Sequence, residues 1–71
     1  MSTLTTERPD LSTDEVDLLR LLADGLPSEA IARRMHTSER TVRRRTRDLC
    51  DRLQVSSAIQ AVAWAARRGL I

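Results

Sequence analysis

Seventy-one residues and 8.0 kDa leave room for one small domain. The balance of 41% hydrophobic and 31% charged residues is that of a soluble globular chain, and no apolar stretch approaches the roughly 18 residues of a membrane span. One cysteine excludes an internal disulfide and, with a single histidine, a structural zinc site.

Trp64 is the sole aromatic residue, so the core must be filled by Leu, Ile, Val, Ala and Met, which favours helices over a small β-sandwich. Every basic side chain is Arg, and the charge is polarised. Residues 1–30 carry two Arg against seven acids, whereas residues 31–71 carry ten Arg against Glu39, Asp48 and Asp51. The basic half suits a polyanion, or else a solvated charged face.

Residues 1–10 lack periodicity, contain Pro9 and read as a loose tail or linker stub ahead of a domain over 11–71. A first helix is predicted over roughly 13–24, opened by the capping box Ser12-Thr13-Asp14-Glu15 and stopped by Gly25. Leu18, Leu19 and Leu22 fall at helical spacing within it. Pro27 suits the first turn of a short second helix with Ser28 as its nearest capping group, an apolar face of Ala30, Ile31, Ala32 and Met35, and an end near Met35. After His36-Thr37, Ser38 caps a third helix. Val42, Thr46, Leu49, Cys50 and Leu53 share one of its stripes, while Arg40, Arg43, Arg44 and Arg47 lie opposite within about 100° of one another. Asp48 lies four residues from both Arg44 and Arg52, a spacing that permits ion pairs. Ser57 with Gln60 opens a fourth helix that runs to about Arg68 and stops at Gly69. If Ala58, Ala61, Val62 and Ala65 face inward, Ile59, Ala63 and Ala66 are left outside.

The expected fold is all-α, four short helices containing a helix-turn-helix. The third helix has an apolar side to anchor it and an arginine side free to enter a major groove, where each guanidinium fork can donate to guanine O6 and N7 or to phosphates. The carboxylates sit at helix ends, where charge–dipole roles explain them. No nucleophile stands beside a base and no glycine-rich phosphate loop is present, so an enzyme is not expected. Cys50 reads as a small buried hydrophobe and His36 as a solvated turn residue.

The run Leu11-Ser12-Thr13-Asp14-Glu15, Leu18-Leu19, Leu22-Ala23-Asp24-Gly25-Leu26, Ile31-Ala32, Met35, Ser38, Thr41-Val42-Arg43, Leu49, Arg52-Leu53, Val55, Ala61-Val62 and Gly69-Leu70-Ile71 resembles the LuxR-type (GerE, NarL/FixJ-type) helix-turn-helix domain over about residues 11–71. The resemblance implies a bacterial transcription regulator that binds double-stranded DNA, its third helix in the major groove and its fourth in a homodimer contact. Carried over by position, Arg43, Arg44 and Arg47 are the expected base readers, and Ser28, Ser38, Arg40 and Thr41 the expected backbone contacts. The strip of Ile59, Ala63 and Ala66 is the expected dimer surface, with cover by a partner domain as the other reading. The family's usual Gly before Val55 is Gln54 here, which requires either avoidance of a left-handed turn or some strain. No cofactor or metal is expected, and no signal-peptide pattern opens the chain, so a cytoplasmic location is expected. The alternative is a helix-turn-helix that holds a protein, such as an RNA polymerase subunit or a partner regulator. Salt dependence separates the two, because DNA contacts release counterions.

Overall fold

The computed structural model describes residues 11–71, so the expected tail over 1–10 lies outside the described residues. Four helices follow in order: α1 Thr13–Ala23, α2 Ser28–Arg34, α3 Glu39–Leu53 and α4 Ala58–Arg67. Their starts follow local chemistry. Ser12 closes the expected capping box on α1, its Oγ accepting from Glu15 N at 3.1 Å while Glu15 Oε1 accepts from Ser12 N at 2.8 Å. Ser38 and Ser57 cap α3 and α4 by accepting from Thr41 N at 3.1 Å and Gln60 N at 3.2 Å.

Two starts differ from the sequence reading. Pro27 is the N-cap of α2 rather than part of its first turn, and Ser28 is the first helical residue, so no side chain caps this helix. At α4 the Gln60 amide oxygen accepts from Ser56 N at 2.7 Å, one residue upstream of the Ser57 amide that a full capping box would engage.

The four helices end by one device. A left-handed residue follows or caps each: Gly25 (φ 79°), His36 (φ 56°), Gln54 (φ 59°) and Gly69 (φ 71°). In each case the next amide reaches back to a carbonyl five residues earlier. These bonds are Leu26 N to Leu21 O (3.3 Å), Thr37 N to Ala32 O (2.9 Å), Val55 N to Cys50 O (3.0 Å) and Leu70 N to Ala65 O (2.9 Å). That is the Schellman arrangement, which satisfies carbonyls the helix end would leave bare. Glycine adopts this backbone freely. His36 is among the tolerated exceptions, whereas Gln54 carries the steric cost of a Cβ in the left-handed region.

Leu18 and Leu19 of α1, Ile31 and Ala32 of α2, Val42, Leu49, Cys50 and Leu53 of α3, and Ala61 and Ala65 of α4 form one core. α1 packs on α4 and α2 packs on α3, with further contacts between α3 and α4 and between α1 and α2. The two alanines of α4 let its backbone approach closely, and Leu22, Val55, Trp64, Leu70 and Ile71 seal the margins. Glu15 adds a polar tie, its Oε2 accepting from Arg52 near the C-terminal end of α3.

Candidate nucleic-acid interface

α3 divides cleanly around its axis. Val42 (2% exposed), Leu49 (1%), Leu53 (6%) and Cys50 (7%) are buried, and Thr46, the polar member of that stripe, is satisfied by donating to Val42 O at 2.8 Å. Burial, with a smaller contribution from the Asp51 carboxylate, pushes the Cys50 thiol above its ordinary pKa. The thiol is thus held protonated, as suits a packing residue.

The opposite side presents Arg40, Arg43, Arg44 and Arg47, all exposed, with Arg45 on the flank toward α1. Among the described residues no ion pair holds Arg40, Arg44, Arg45 or Arg47. Arg43 is different: its Nη1 donates to Glu39 Oε1 at 3.1 Å, one turn back along the same helix. Nothing in the sequence reading had assigned Glu39 a role, although its i,i+4 spacing was the available signal.

A groove beside α3 brings several expected contacts together. Ser28 of α2, Arg43, Thr46 and Arg47 of α3, and Ser56, Ser57 and Ala58 at the start of α4 line one continuous surface. Ser28, Arg43 and Arg47 therefore converge from two helices, and the hydroxyls of Ser56 and Ser57 join them without having been anticipated. Ser38 and Thr41 pair with each other instead. Ser38 Oγ donates to Thr41 Oγ1 at 3.0 Å, which leaves the hydroxyl hydrogen of Thr41 free to donate outward.

On α4, Ile59 is 81% exposed, Ala66 is exposed and Ala63 is half-buried. Ile59 borders a shallow apolar groove with Leu22, Ala23, Ala58 and Val62. At the far end of the helix, Arg68 lies over the Trp64 ring at 4.2 Å and donates to Trp64 O at 3.3 Å. Among the described residues no His, Cys, Asp and Glu cluster could hold a metal, and no helix is long and apolar enough to cross a membrane.

Two short helices joined by a tight turn, the second anchored by an apolar stripe and bare-faced in arginine, define a helix-turn-helix domain. Residues 9–65 match the family described as bacterial regulatory proteins, luxR family (GerE), and the chain belongs to that family. Its class is that of DNA-binding transcription regulators, not of enzymes.

The chain is 37% identical over 62 residues to the nitrate/nitrite response regulator protein NarL of Escherichia coli (strain K12), a match covering 84% of this chain and 29% of that protein. It is 45% identical over 67 residues to the bialaphos biosynthetic pathway regulatory protein of Streptomyces hygroscopicus, covering 94% of this chain and 26% of that one. The transcriptional regulatory protein YdfI of Bacillus subtilis (strain 168) is 38% identical over 61 residues, covering 86% of this chain and 29% of its own length. The chain thus spans less than a third of the length of these curated relatives. No solved structure matches it at a significant level.

Proposed function

We propose that this domain binds double-stranded DNA sequence-specifically, with α3 in the major groove. The observation that carries the reading is the exposed arginine face of α3 set opposite a buried stripe. Arg43, Arg44 and Arg47 read base edges, each guanidinium able to donate two parallel bonds to a guanine. Arg40, Ser38 and Thr41 near the start of α3 meet one phosphate strand, and Ser28 at the start of α2 meets phosphate across the groove. Two copies associate through Ile59, Ala63 and Ala66 of α4, which sets two half-sites about one helical turn, roughly 34 Å, apart. Cytoplasmic location follows from this function.

Fluorescence anisotropy against duplexes selected by the chain from a randomised pool tests the reading at several salt concentrations. The expected result is binding that beats a scrambled duplex, weakens steeply with salt and collapses in the Arg43→Ala/Arg47→Ala double variant. Weak binding that is the same for both duplexes and both proteins overturns it, and points to α3 as a surface for a protein such as an RNA polymerase subunit.

A further inference from the structure

Glu39 is an acid on the arginine side of α3, where Asp51 also lines the groove beside Arg43 and Arg47. It occupies the first turn of α3, beside Arg40 and one turn before Arg43. Its side chain is 42% exposed and its Oε1 accepts from Arg43 Nη1 at 3.1 Å. The first-turn position suits a carboxylate because the helix dipole is positive there, but Ser38 already caps this end by accepting from Thr41 N. Nothing about helix formation therefore requires a carboxylate aimed at Arg43. Coulomb energy does not explain the pair either, because an exposed i,i+4 contact stabilises little.

We infer that Glu39 is a specificity-determining positioning residue: it biases the Arg43 guanidinium toward one orientation and subtracts one charge from the phosphate-facing surface of α3. This rests on the proposed DNA-binding function of that helix. Two physical effects follow, of which the first changes the ratio between sites and the second acts on all duplexes alike. An arginine held by one Nη keeps its remaining N–H groups on a fixed fork, so less side-chain freedom is lost when they meet a base edge. A carboxylate among four arginines also weakens attraction to any phosphate backbone, whatever its sequence. Correct sites recover part of that loss, since Arg43 arrives aligned, whereas incorrect sites do not.

The test uses the full chain, duplexes that the wild-type protein selects from a randomised pool, and a scrambled duplex of equal length. Glu39→Gln keeps the size and an acceptor oxygen but removes the charge; Glu39→Asp keeps the charge but shortens the reach. The ratio of selected to scrambled affinity is expected to fall about twofold in Glu39→Gln, the scale of one exposed i,i+4 ion pair. Scrambled-duplex binding should tighten, and its salt slope should steepen by about one. Glu39→Asp is expected to lower the ratio while leaving that slope unchanged. In an Arg43→Ala background, Glu39→Gln should no longer alter the ratio. Thermal melting in each variant shows that the fold is intact.

An unchanged ratio in Glu39→Gln, with the wild type still discriminating, overturns the inference and leaves the DNA-binding reading standing. A loss of preference that persists in the Arg43→Ala background also overturns it, by making Glu39 itself a base reader. Failure of the wild type to select any duplex overturns the DNA-binding reading and this inference with it.

Discussion

Glu15 and Arg52, 37 positions apart in the chain, join the start of α1 to the end of α3. The same carboxylate that closes the capping box through Ser12 N receives the Arg52 guanidinium on its other oxygen. One side chain thus fixes where α1 begins and which part of α3 lies beside it. A cap normally stabilises only its own helix; here the cap is also a tertiary contact.

Glu15→Ala removes both roles and is expected to cost about 1 kcal/mol in chemical denaturation, mostly from the lost bond to Ser12 N, since Ser12 still caps the residue-15 amide. Glu15→Gln keeps an oxygen for Ser12 N but loses the charge, so its cost should be only a few tenths of a kcal/mol for so exposed a pair. Equal losses in the two variants would assign the stability to the ion pair instead.

Gln54 stands in the left-handed region at φ 59° and ψ 44°. A non-glycine residue there costs about 1–2 kcal/mol, and glycine returns part of that gain through a freer unfolded chain. Gln54→Gly is therefore expected to stabilise by about 0.5–1 kcal/mol, and Gln54→Val to destabilise, since a β-branched side chain fits this backbone worst. A melting temperature that rises for glycine and falls for valine checks both signs.

The chain has no Lys and no Tyr, so Cys50 is its only side chain that titrates at moderately alkaline pH. Burial raises its folded pKa. The folded state then holds the proton more tightly than the unfolded one, so this contribution is complete below the unfolded value of about 8.5 and is lost as pH rises toward the folded value. Denaturation midpoints should decline through that alkaline window in the wild type and stay flat in Cys50→Ala. Reaction of the native thiol with an alkylating reagent should be slow until the protein unfolds.

Within the DNA-facing helix, Arg47→Ala is expected to cost about 1–3 kcal/mol at a selected site and to relax preference at one base position. Arg40→Ala should weaken all duplexes alike and reduce the salt slope by about one. Binding titrations on a panel of single-base variants distinguish these patterns, and a uniform loss for Arg47→Ala would move that residue onto phosphate.

Ile59 is 81% exposed, so Ile59→Asp should leave the thermal midpoint nearly unchanged at concentrations where the wild type is monomeric. It should nonetheless abolish self-association measured by sedimentation and shorten the DNA footprint to one half-site. A footprint that still covers two half-sites would place the contact between copies elsewhere.

Three of the four helix starts were legible in the sequence because capping residues act locally: Ser12, Ser38 and Ser57 could be identified without a fold, whereas α2, capped by no side chain, was misplaced by a residue. The glycine stops at Gly25 and Gly69 were equally plain. His36 and Gln54 were not, because a residue that tolerates or endures the left-handed region carries no mark of it; the helix that needs a stop is known only once its end is seen. The buried stripe and arginine face of α3 followed from periodicity. What escaped were pairings decided by packing. Arg52 reaches across to Glu15, a pairing that spacing along the chain did not point to. The convergence of Ser28 with Arg43, Arg47 and the Ser56-Ser57 corner depends on how three helices meet.

Trp64, half-buried on α4 beneath Arg68, is also the only strong chromophore the chain possesses. Its emission therefore reports the surroundings of one helix alone, undiluted by tyrosine, while far-ultraviolet ellipticity sums over all four. Superimposed melting curves from the two signals would show α4 leaving together with the rest. An earlier fluorescence transition would reveal a helix that detaches first, carrying Ile59 away while α3 stays assembled. The molecule is thus equipped, without any label, to disclose the order in which its own pieces come apart.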